Sequence, residues 1–373
     1  MTAWAPLAGM RVVEACQRLV GPHAAWHLAM LGAEVTKVEP PAGDIARSWA
    51  GGAMFDLINA HKLCAALDLT NPAERTAFER LCAGADVVLG DASWSEQPAL
   101  EGSRRTGART RSVVIVDDGS VPGGFGSSET LAQAAMAITP YVGERGGRPT
   151  RLGADLASAS AAAAAVQAAL AGLLRDEASG PLIARISIDR AMATLKTIHW
   201  AARSDPDRWA GYHLRAISRE PDRGYRVRDG WITLDFLPDQ GAAWRALCEE
   251  LGLNQFISEV GDDWFSTVGM EDRVDWARPH YEQALAGLTR AEVVTLIRKH
   301  GGWSVPFQTP AETLNHPQAR LYASACFAGG EAEIRLPWRV DDETQAAHRP
   351  AAAPPIGAHT KKVLASVPAG GAS

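Results

Sequence analysis

The chain has 373 residues, which is more than one ordinary hydrophobic core organises, and this length predicts two domains. A composition of 46% hydrophobic and 21% charged residues is typical of a folded globular protein and excludes a disordered one. A formal net charge of -6 excludes a nucleic-acid-binding protein that relies on overall basic charge, although a local basic pocket for an anion is compatible with it.

The cysteines and the amino terminus indicate the cellular compartment of the protein. Five cysteines are widely spaced and form no C-x-x-C pair, which indicates reduced thiols and neither disulfides nor a zinc site. The first residues lack a basic segment followed by an apolar run, so no signal peptide is expected. The longest apolar stretch is rich in alanine, and its hydrophobicity is expected to be too weak for a bilayer span. We therefore predict a cytoplasmic protein without a metal, nucleic-acid or membrane partner.

Short apolar runs alternate with helical segments through the first half of the chain, a pattern typical of a parallel sheet covered by helices on both faces. The glycine-rich G-x-G-x-x-G fingerprint is missing, because Val20-Gly21-Pro22 follows the first strand, and a standard dinucleotide site is disfavoured. The predicted strands cover 11–16, 34–39, 64–69, 85–89, 112–116 and 182–188, and the predicted helices cover 21–31, 71–81, 129–139, 155–175 and 189–202.

A second region follows a polar, proline-containing linker at 204–223. Residues 231–236 alternate like a strand with one buried face, and residues 242–251 and 291–300 are predicted helices. The second helix has a capping box, because Glu292 follows Thr289 by three residues. Residues after 337 are rich in proline and alanine, but 356–364 are expected to be ordered.

Asp155 begins the alanine-rich helix and is the only acid in it before Asp176. A carboxylate is favoured there by the partial positive charge of the helix end. The residue is therefore either a simple N-cap or a functional carboxylate. His23 and His27 are spaced i, i+4, as two metal ligands can be, but no third ligand or H-E-x-x-H pattern joins them, so packing is the favoured interpretation.

Several segments, in this order, resemble the class III CoA-transferase family. At the amino end these are residues 6–14, Gly21-Pro22, 31–44, 59–62 and 66–69; near the other end they are 316–319 and 357–364. The resemblance implies an open, Rossmann-like parallel sheet in a large domain built from both chain ends, with a smaller inserted α+β domain. It places the large domain at 1–205, the small domain at 223–305 and the return to the large domain at 306–373. It also implies an interlocked dimer, either a homodimer or a heteromer with a paralogue.

The resemblance further implies that Asp155 is the nucleophile that carries CoA as a covalent thioester. Glu129, at a predicted helix start, matches a glutamate that oxalate-type transferases place near this aspartate; the alternative is a helix-terminal acid without catalytic function. The related racemases carry a histidine one residue earlier, where this chain has Ser128, which lacks a suitable pKa for a general base.

The expected ligand is coenzyme A or an acyl-CoA, bound as a substrate. Several basic positions of the family are not matched, since Pro40 follows the second strand and Leu63 follows Lys62. Arg104, Arg105, Arg109 and Arg111 form a candidate substitute for the phosphate contacts, or else a solvated loop. The residues that the resemblance assigns to CoA binding are Arg18, Leu19, Lys37, Asn59, Lys62, Leu67, Thr70 and Asp91.

The function expected from these features is acyl-CoA:carboxylate CoA transfer, with an acyl-CoA and a carboxylic acid as the two substrates. Two alternatives stay open: an acyl-CoA isomerase or lyase of the racemase type, and a non-catalytic subunit of a heteromeric transferase. No residue pattern specifies the acyl group.

Overall fold

The structure, a computed structural model, describes residues 4–117, 128–136, 138–139, 148–176, 179–205, 224–236, 240–260, 271–317, 325–328, 331–334 and 351–366. The chain divides into two compact units. Unit 1 comprises residues 1–138, 151–194 and 314–373, and unit 2 comprises 139–150 and 195–313. Unit 1 thus draws on both ends of the chain. Its boundaries differ from the predicted ones by about ten residues near 195 and 313, and unit 2 also takes in 139–150.

A six-stranded sheet forms the centre of unit 1, and all its neighbouring strands are parallel. The order is β3-β2-β1-β4-β5-β6, which is the doubly wound arrangement. In this order the chain direction across the sheet reverses between β1 and β4, and ligands of such sheets bind outside the carboxyl ends of the strands at that point. The strands are β1 Arg11–Ala15, β2 Glu34–Glu39, β3 Leu63–Ala66, β4 Val87–Asp91, β5 Ser112–Asp117 and β6 Leu182–Ser187.

Helices cover both faces of this sheet. The described α-helices between residues 20 and 204 are α1 Val20–Met30, α2 Ala53–Asn59, α3 Pro72–Ala83, α4 Glu96–Ser103, α5 Glu129–Ala135, α6 Leu156–Leu174, α7 Ile188–Leu195 and α8 Thr197–Ser204; the last belongs to unit 2. Strand alternation separates two cores: Val12 points to the face of α1 and α6, and Val13 points to the face of α3 and α4. A helix at Thr360–Ala365 also packs on β3.

Two close approaches orient the helices on the first face. A Cβ at Gly21 would lie 2.3 Å from the Cβ of Cys16, so the start of α1 is pressed against the end of β1. A Cβ at Gly172 would lie 2.4 Å from the Cβ of Ser112, so the end of α6 lies at the start of β5. Since α1 and α6 also pack on each other, both helices begin at the carboxyl edge of the sheet. Asp155, immediately before α6, therefore lies at the edge where such folds bind ligands.

Unit 2 has its own core, built around the ring of Tyr281 and the indole of Trp244, whose Nε1 donates to the Tyr281 hydroxyl at 2.7 Å. Its described elements are β7 Tyr225–Val227, β8 Gly230–Ile232, α9 Gly241–Glu250, α10 Asn254–Val260, α11 Glu271–Leu285, α12 Arg290–Lys299 and α13 Pro310–Asn315. The hairpin β9 Ala325–Ala328 and β10 Glu331–Ile334 follows, and the helix at Thr360–Ala365 is α14.

The predicted strands and helices of the first sheet are confirmed to within a few residues, with four departures. The strand predicted at 64–69 ends at Ala66, and the helix predicted at 189–202 is two helices, α7 and α8. Helices α2 and α4 were not predicted. In unit 2 the strand predicted at 231–236 is reduced to β8 plus single bridges from Ile232 and Asp235. The capping box of Thr289 and Glu292 is present. The residues outside the described structure include most of the linker at 204–223, the Pro/Ala-rich residues 337–350, and Gln318 and Ala319.

Helix α6 is long and apolar enough to cross a membrane by length and composition alone, with a mean hydropathy of 1.6. The prediction that its hydrophobicity is too weak is therefore not supported by that measure. Its packing gives a different account, because Ala157, Ala161, Ala165 and Ala169 are fully buried against the sheet and α1. A single long apolar helix packed in this way is also found in the cores of globular proteins.

Candidate active site

Asp155 occupies the N-cap position of α6, but its side chain makes no capping hydrogen bond. Its backbone has φ -82° and ψ 62°, and the Leu156 amide donates to the Ala154 carbonyl at 2.9 Å. These values define an inverse γ-turn centred on Asp155. The carboxylate turns outward instead, with 40% of the side chain exposed, and its Oδ1 accepts a bond of 2.9 Å from Arg151 Nη2.

Glu129 takes over the capping of α6 from a different part of the chain. Its Oε1 accepts the amide of Ala157 at 2.7 Å, and its Oε2 accepts the amide and the hydroxyl of Ser158 at 3.0 Å each. These are the second and third residues of the helix, whose amides normally bond to the side chain at the N-cap. With the Leu156 amide satisfied within the γ-turn, the first three amides of α6 need nothing from Asp155.

Gln133 fixes the loop that leads into this turn. It lies one helical turn after Glu129 on α5 and is fully buried. Its Oε1 accepts the Leu152 amide at 2.9 Å, and its Nε2 donates to the Ala154 carbonyl at 3.0 Å and to Glu129 Oε1 at 2.9 Å. One carboxamide thus ties the loop backbone to the capping carboxylate, and both hold Asp155 in place.

Asp155 is therefore positioned through its backbone, and its side chain stays available for reaction. Oδ2 of Asp155 has no hydrogen-bond partner among the described residues, whereas Oδ1 is bound by Arg151. A carboxylate with one oxygen held and one free is suited to nucleophilic attack through the free oxygen. The Arg151 guanidinium lies close enough to stabilise negative charge that develops beside it.

Arg18, Leu19 and Asp91 lie at the carboxyl edge, at the reversal point between β1 and β4. Arg18 has a left-handed φ of 71°, and its amide donates to Asp44 Oδ1 at 3.0 Å. Asp91 Oδ2 accepts the Gln17 amide at 3.3 Å, which joins the loops after β1 and β4. Leu19 is the N-cap of α1 and offers no side-chain cap.

Lys37, Asn59 and Lys62 are placed differently from what phosphate binding requires. Lys37 Nζ lies 3.2 Å from Glu14 and 2.9 Å from Asp44, and its side chain is 1% exposed. Lys62 Nζ bonds Glu14 at 3.2 Å and Asn59 Oδ1 at 2.8 Å. Because these ammonium groups already have protein partners inside the core, a phosphate contact would require those bonds to break.

Burial and the neighbouring carboxylates shift the pKa values of Lys37 and Lys62. Although burial opposes the charged form, Glu14 and Asp44 raise the pKa of Lys37 above its usual range. Burial, partly opposed by Glu14, lowers the pKa of Lys62 to about 8. Glu14 and Lys37 are directly paired across β1 and β2, so the strand register itself brings the charges together.

The remaining candidates fall into three places. Leu67 is buried in the core beneath α3, while Thr70 is exposed and bonds Asp68 Oδ1 at 2.6 Å. The arginines at 104–111 line a cavity at the amino edge of the sheet, at the opposite end of α6 from Asp155. The 19 residues of α6 therefore separate these arginines from Asp155 within one chain. A second cavity, of about 930 Å³, is also at that edge, beside Arg11, Glu34 and Leu63.

His23 and His27 stack on each other with ring centroids 4.8 Å apart, and His23 tilts against Trp26. Burial, together with His27 and Lys62, lowers the pKa of His23 to about 4. Among the described residues no group of three or more His, Cys, Asp or Glu is placed to hold a metal ion. Four cysteines, Cys16, Cys64, Cys82 and Cys248, are buried free thiols.

Sequence analysis missed Arg151, Gln133 and Ser158 as parts of this site. Glu129 and Gln133 are four residues apart on α5, a spacing that brings side chains together on a helix. Arg151 precedes α6, so its spacing from Asp155 carries no such signal. The bonds from Ala157 and Ser158 to Glu129 span 28 and 29 residues and carry no such signal.

Comparison with known proteins adds to this geometry. A succinyl-CoA:mesaconate CoA-transferase of Haloarcula hispanica is 25% identical over 314 residues, 72% of this chain and 77% of that protein. A succinate–glutarate CoA-transferase of Agrobacterium fabrum is 26% identical over 287 residues, 69% of this chain and 68% of that protein.

A crystal structure of Rv3272 from Mycobacterium tuberculosis has the same fold, with a TM-score of 0.77 at 24% identity, covering 97% of this chain and 100% of that one. The family model described as CoA-transferase family III matches residues 7–360. The chain therefore belongs to CoA-transferase family III, a family of enzymes whose substrates are CoA esters.

Proposed function

We propose that this enzyme transfers CoA from an acyl-CoA donor to a carboxylic acid acceptor through a covalent thioester on Asp155. The proposal rests on the Asp155 carboxylate, which is not used as a helix cap. The amides at the start of α6 are satisfied by Glu129 and by the γ-turn centred on Asp155. A simple N-cap would use its side chain for those amides.

The transfer begins when Oδ2 of Asp155 attacks the thioester carbonyl carbon. The carbon–sulfur bond breaks, CoA leaves as the thiolate, and a mixed anhydride forms between Asp155 and the donor acyl group. The thiolate then attacks the aspartyl carbonyl and expels the donor as its carboxylate, which leaves CoA bound to Asp155 as a thioester.

The acceptor acid repeats these steps in reverse. Its carboxylate attacks the aspartyl thioester, CoA leaves, and the thiolate attacks the acceptor acyl carbon of the new anhydride. The Asp155 carboxylate is released together with the product acyl-CoA. Every step exchanges one acyl bond for another, so the protein contributes mainly position and charge stabilisation. Arg151 supplies the positive charge beside Oδ1.

For CoA itself, the proposal places the nucleotide along the carboxyl edge of the sheet. The start of α1 at Leu19, which has no side-chain cap, supports this placement, and Arg18 and Asp91 lie beside it at the β1/β4 reversal. A helix start without a side-chain cap and without an acid in its first turn favours an anion. Thr70 is an exposed neighbour after β3.

Succinyl-CoA and small dicarboxylic acids are the first substrates to try, because two relatives are named for succinate, mesaconate or glutarate. We also propose the interlocked dimer and the small inserted domain that the family resemblance implies, with a cytoplasmic location. A homodimer is the simpler assembly, since a single chain carries both Asp155 and Glu129.

The decisive experiment traps the intermediate. The protein is incubated with succinyl-CoA and hydroxylamine, and peptides are analysed by mass spectrometry. A hydroxamate at Asp155, absent in Asp155→Asn, is the expected result, and Asp155→Asn is expected to lose transfer. Asp176→Asn, at an exposed acid after α6, is the matched control and is expected to keep transfer.

Full activity of Asp155→Asn without any labelled residue would refute the mechanism. The alternatives have different outcomes. Deuterium incorporation at the α-carbon of an acyl-CoA without an acceptor acid would indicate racemase-type chemistry. No heat on titration with CoA or succinyl-CoA would indicate a non-catalytic subunit.

A further inference from the structure

A cavity of about 610 Å³ opens in unit 1 at the amino edge of the sheet. It is lined by Asp86, Arg111 and Pro181, which come just before β4, β5 and β6. Gly172 and Arg175 bring the end of α6 to the same place. The size is that of an ordinary small-molecule site. No step of the proposed transfer uses it.

The charge of this cavity differs from that of the whole chain. Two aspartates, Asp86 and Asp176, are the acids of the lining, and the net charge of the chain is -6. Cationic side chains gathered in a concave site make the local electrostatic potential more positive, which attracts anions. The arginines that line the cavity are Arg104, Arg105, Arg109, Arg111 and Arg175.

Several of these guanidinium groups are held in place by the protein. Arg109 Nε donates to Asp86 Oδ1 at 2.5 Å, Arg105 Nη1 lies 3.0 Å from Glu79, and Arg111 Nη2 donates to the Arg175 carbonyl at 2.9 Å. A guanidinium that the protein holds in this way is pre-oriented, and paired N–H donors of arginine bind phosphate oxygens.

A structural role accounts for part of this positive charge. Helices α4 and α6 both end at the cavity, with Arg104 and Arg175 at their C-cap positions, and cations stabilise helix ends of this polarity. Carboxylates balance Arg105 and Arg109. This explanation predicts that the arginines stabilise the fold and that the cavity binds nothing.

Ser103 is the observation that a purely structural role leaves unexplained. The residue is 2% exposed and lines the cavity, and its Oγ has no hydrogen-bond partner among the described residues. Buried hydroxyls normally have one, as Thr110 does in the same lining, where it donates to the Cys82 carbonyl at 2.8 Å. The Oγ has almost no exposed surface, so a ligand oxygen in the cavity would accept its hydrogen after the side chain rotates toward the cavity.

We propose that this cavity is a binding site for a small phosphate-bearing anion, distinct from the site at Asp155. The two lie at opposite ends of α6, whose 19 residues span about 28 Å. Arg104, Arg105 and Arg175 supply paired N–H donors to the phosphate oxygens, and Ser103 supplies one further hydrogen. A pyrophosphate group or a nucleoside diphosphate fits the charge and the volume.

Calorimetry on the full-length protein at low ionic strength tests the proposal, with pyrophosphate as the first probe and ADP as the second. We expect wild-type protein to bind, and Arg104→Gln/Arg175→Gln to bind at least about tenfold more weakly. Ser103→Ala is expected to weaken binding by less. Arg190→Gln, which removes an exposed arginine on α7, is the matched control and is expected to bind like wild type.

A second set of measurements keeps the outcomes apart. Tighter binding of ADP than of pyrophosphate would identify a nucleotide site, and equal binding would identify a site for the diphosphate group alone. Saturating CoA is expected to leave both unchanged; competition by CoA would overturn the distinction from the CoA site. Absence of binding to the wild type, or equal binding by every variant, would overturn the proposal and leave the helix-end role.

Discussion

The carboxamide of Gln133 is shared between Glu129 and the backbone of residues 152–154, and it is fully buried. Replacing it by leucine leaves the Leu152 amide without its partner and releases the loop that places Asp155. Displacements of about 1 Å cost on the order of 10²-fold in rate when they misalign a reacting group. Gln133→Leu is therefore expected to lower kcat by about that factor.

Two measurements separate positioning from a general loss of stability. The rate of hydroxamate formation at Asp155 is expected to fall with kcat, while the thermal midpoint drops by only a few degrees, since one lost buried partner costs about 1–3 kcal/mol. Gln167→Leu, on the exposed side of α6, is the control and is expected to change neither. Wild-type labelling in Gln133→Leu would show that the loop is held by other contacts.

Individual charged residues show how much of the candidate site could be predicted from the sequence. Asp155 and Glu129 were located through the family resemblance, and the structure brings both to the start of α6. Lys37 and Lys62 were assigned to phosphate, but strand register pairs Lys37 with Glu14. A charged residue inside an otherwise apolar strand can face either a buried protein partner or a bound ligand. The sequence does not distinguish these two cases, because the strand pairing determines which residues become neighbours.

At the scale of elements, the parallel sheet was predictable because its strands are short apolar runs buried on both faces. Helix α4 was missed because Pro98 and Gly102 lie within eight residues and suggest a loop. Proline is nevertheless tolerated in the first turn of a helix. Gly102 lets α3 and α4 pack closely, since a Cβ at this position would lie only 2.4 Å from the Glu79 carbonyl oxygen. Packing between the two helices thus overrides local preference.

Helix α1 carries an expected response to acid. His23 has a pKa of about 4 in the folded protein against 6.5 as the ordinary value, mainly because of burial, and burial also lowers the pKa of His27. The unfolded chain therefore binds more protons between pH 6.5 and 4, so stability falls as pH falls through that window and is level above it. His23 alone contributes roughly 2 kcal/mol of loss between pH 7 and pH 5.

The measurement is urea unfolding at pH 7.5 and at pH 5. His23→Gln is expected to lose less stability than wild type between these values, because glutamine does not titrate. The free energy of unfolding at pH 7.5, where His23 is neutral, separately reports any stability lost with the stacking of His23 on His27. An identical acid loss in both proteins would mean that other groups carry the response.

At the scale of the whole molecule, unit 2 exposes a set of large apolar side chains. The Phe307 amide donates to the carbonyl of Trp231 in β8 at 2.9 Å, and bridges join Ile232 to Pro306 and Asp235 to Trp303. Exposed apolar groups that are close together mark surfaces that contact another protein. The side chains are Trp231, Trp303, Val305 and Phe307, with 37%, 64%, 54% and 47% of their area exposed.

The interlocked dimer proposed for this family member leads to a kinetic prediction. Two chains that thread through each other separate only when one of them opens, so subunits are expected to exchange at the rate of unfolding and not at the rate of ordinary dissociation. Dimers made with natural and ¹⁵N-labelled protein are mixed and followed by native mass spectrometry. We expect no species of intermediate mass over hours in buffer, and such species after unfolding in urea and refolding together. A monomer at micromolar concentration, or intermediate mass within minutes of mixing, would contradict the interlocked arrangement while leaving the chemistry at Asp155 untouched.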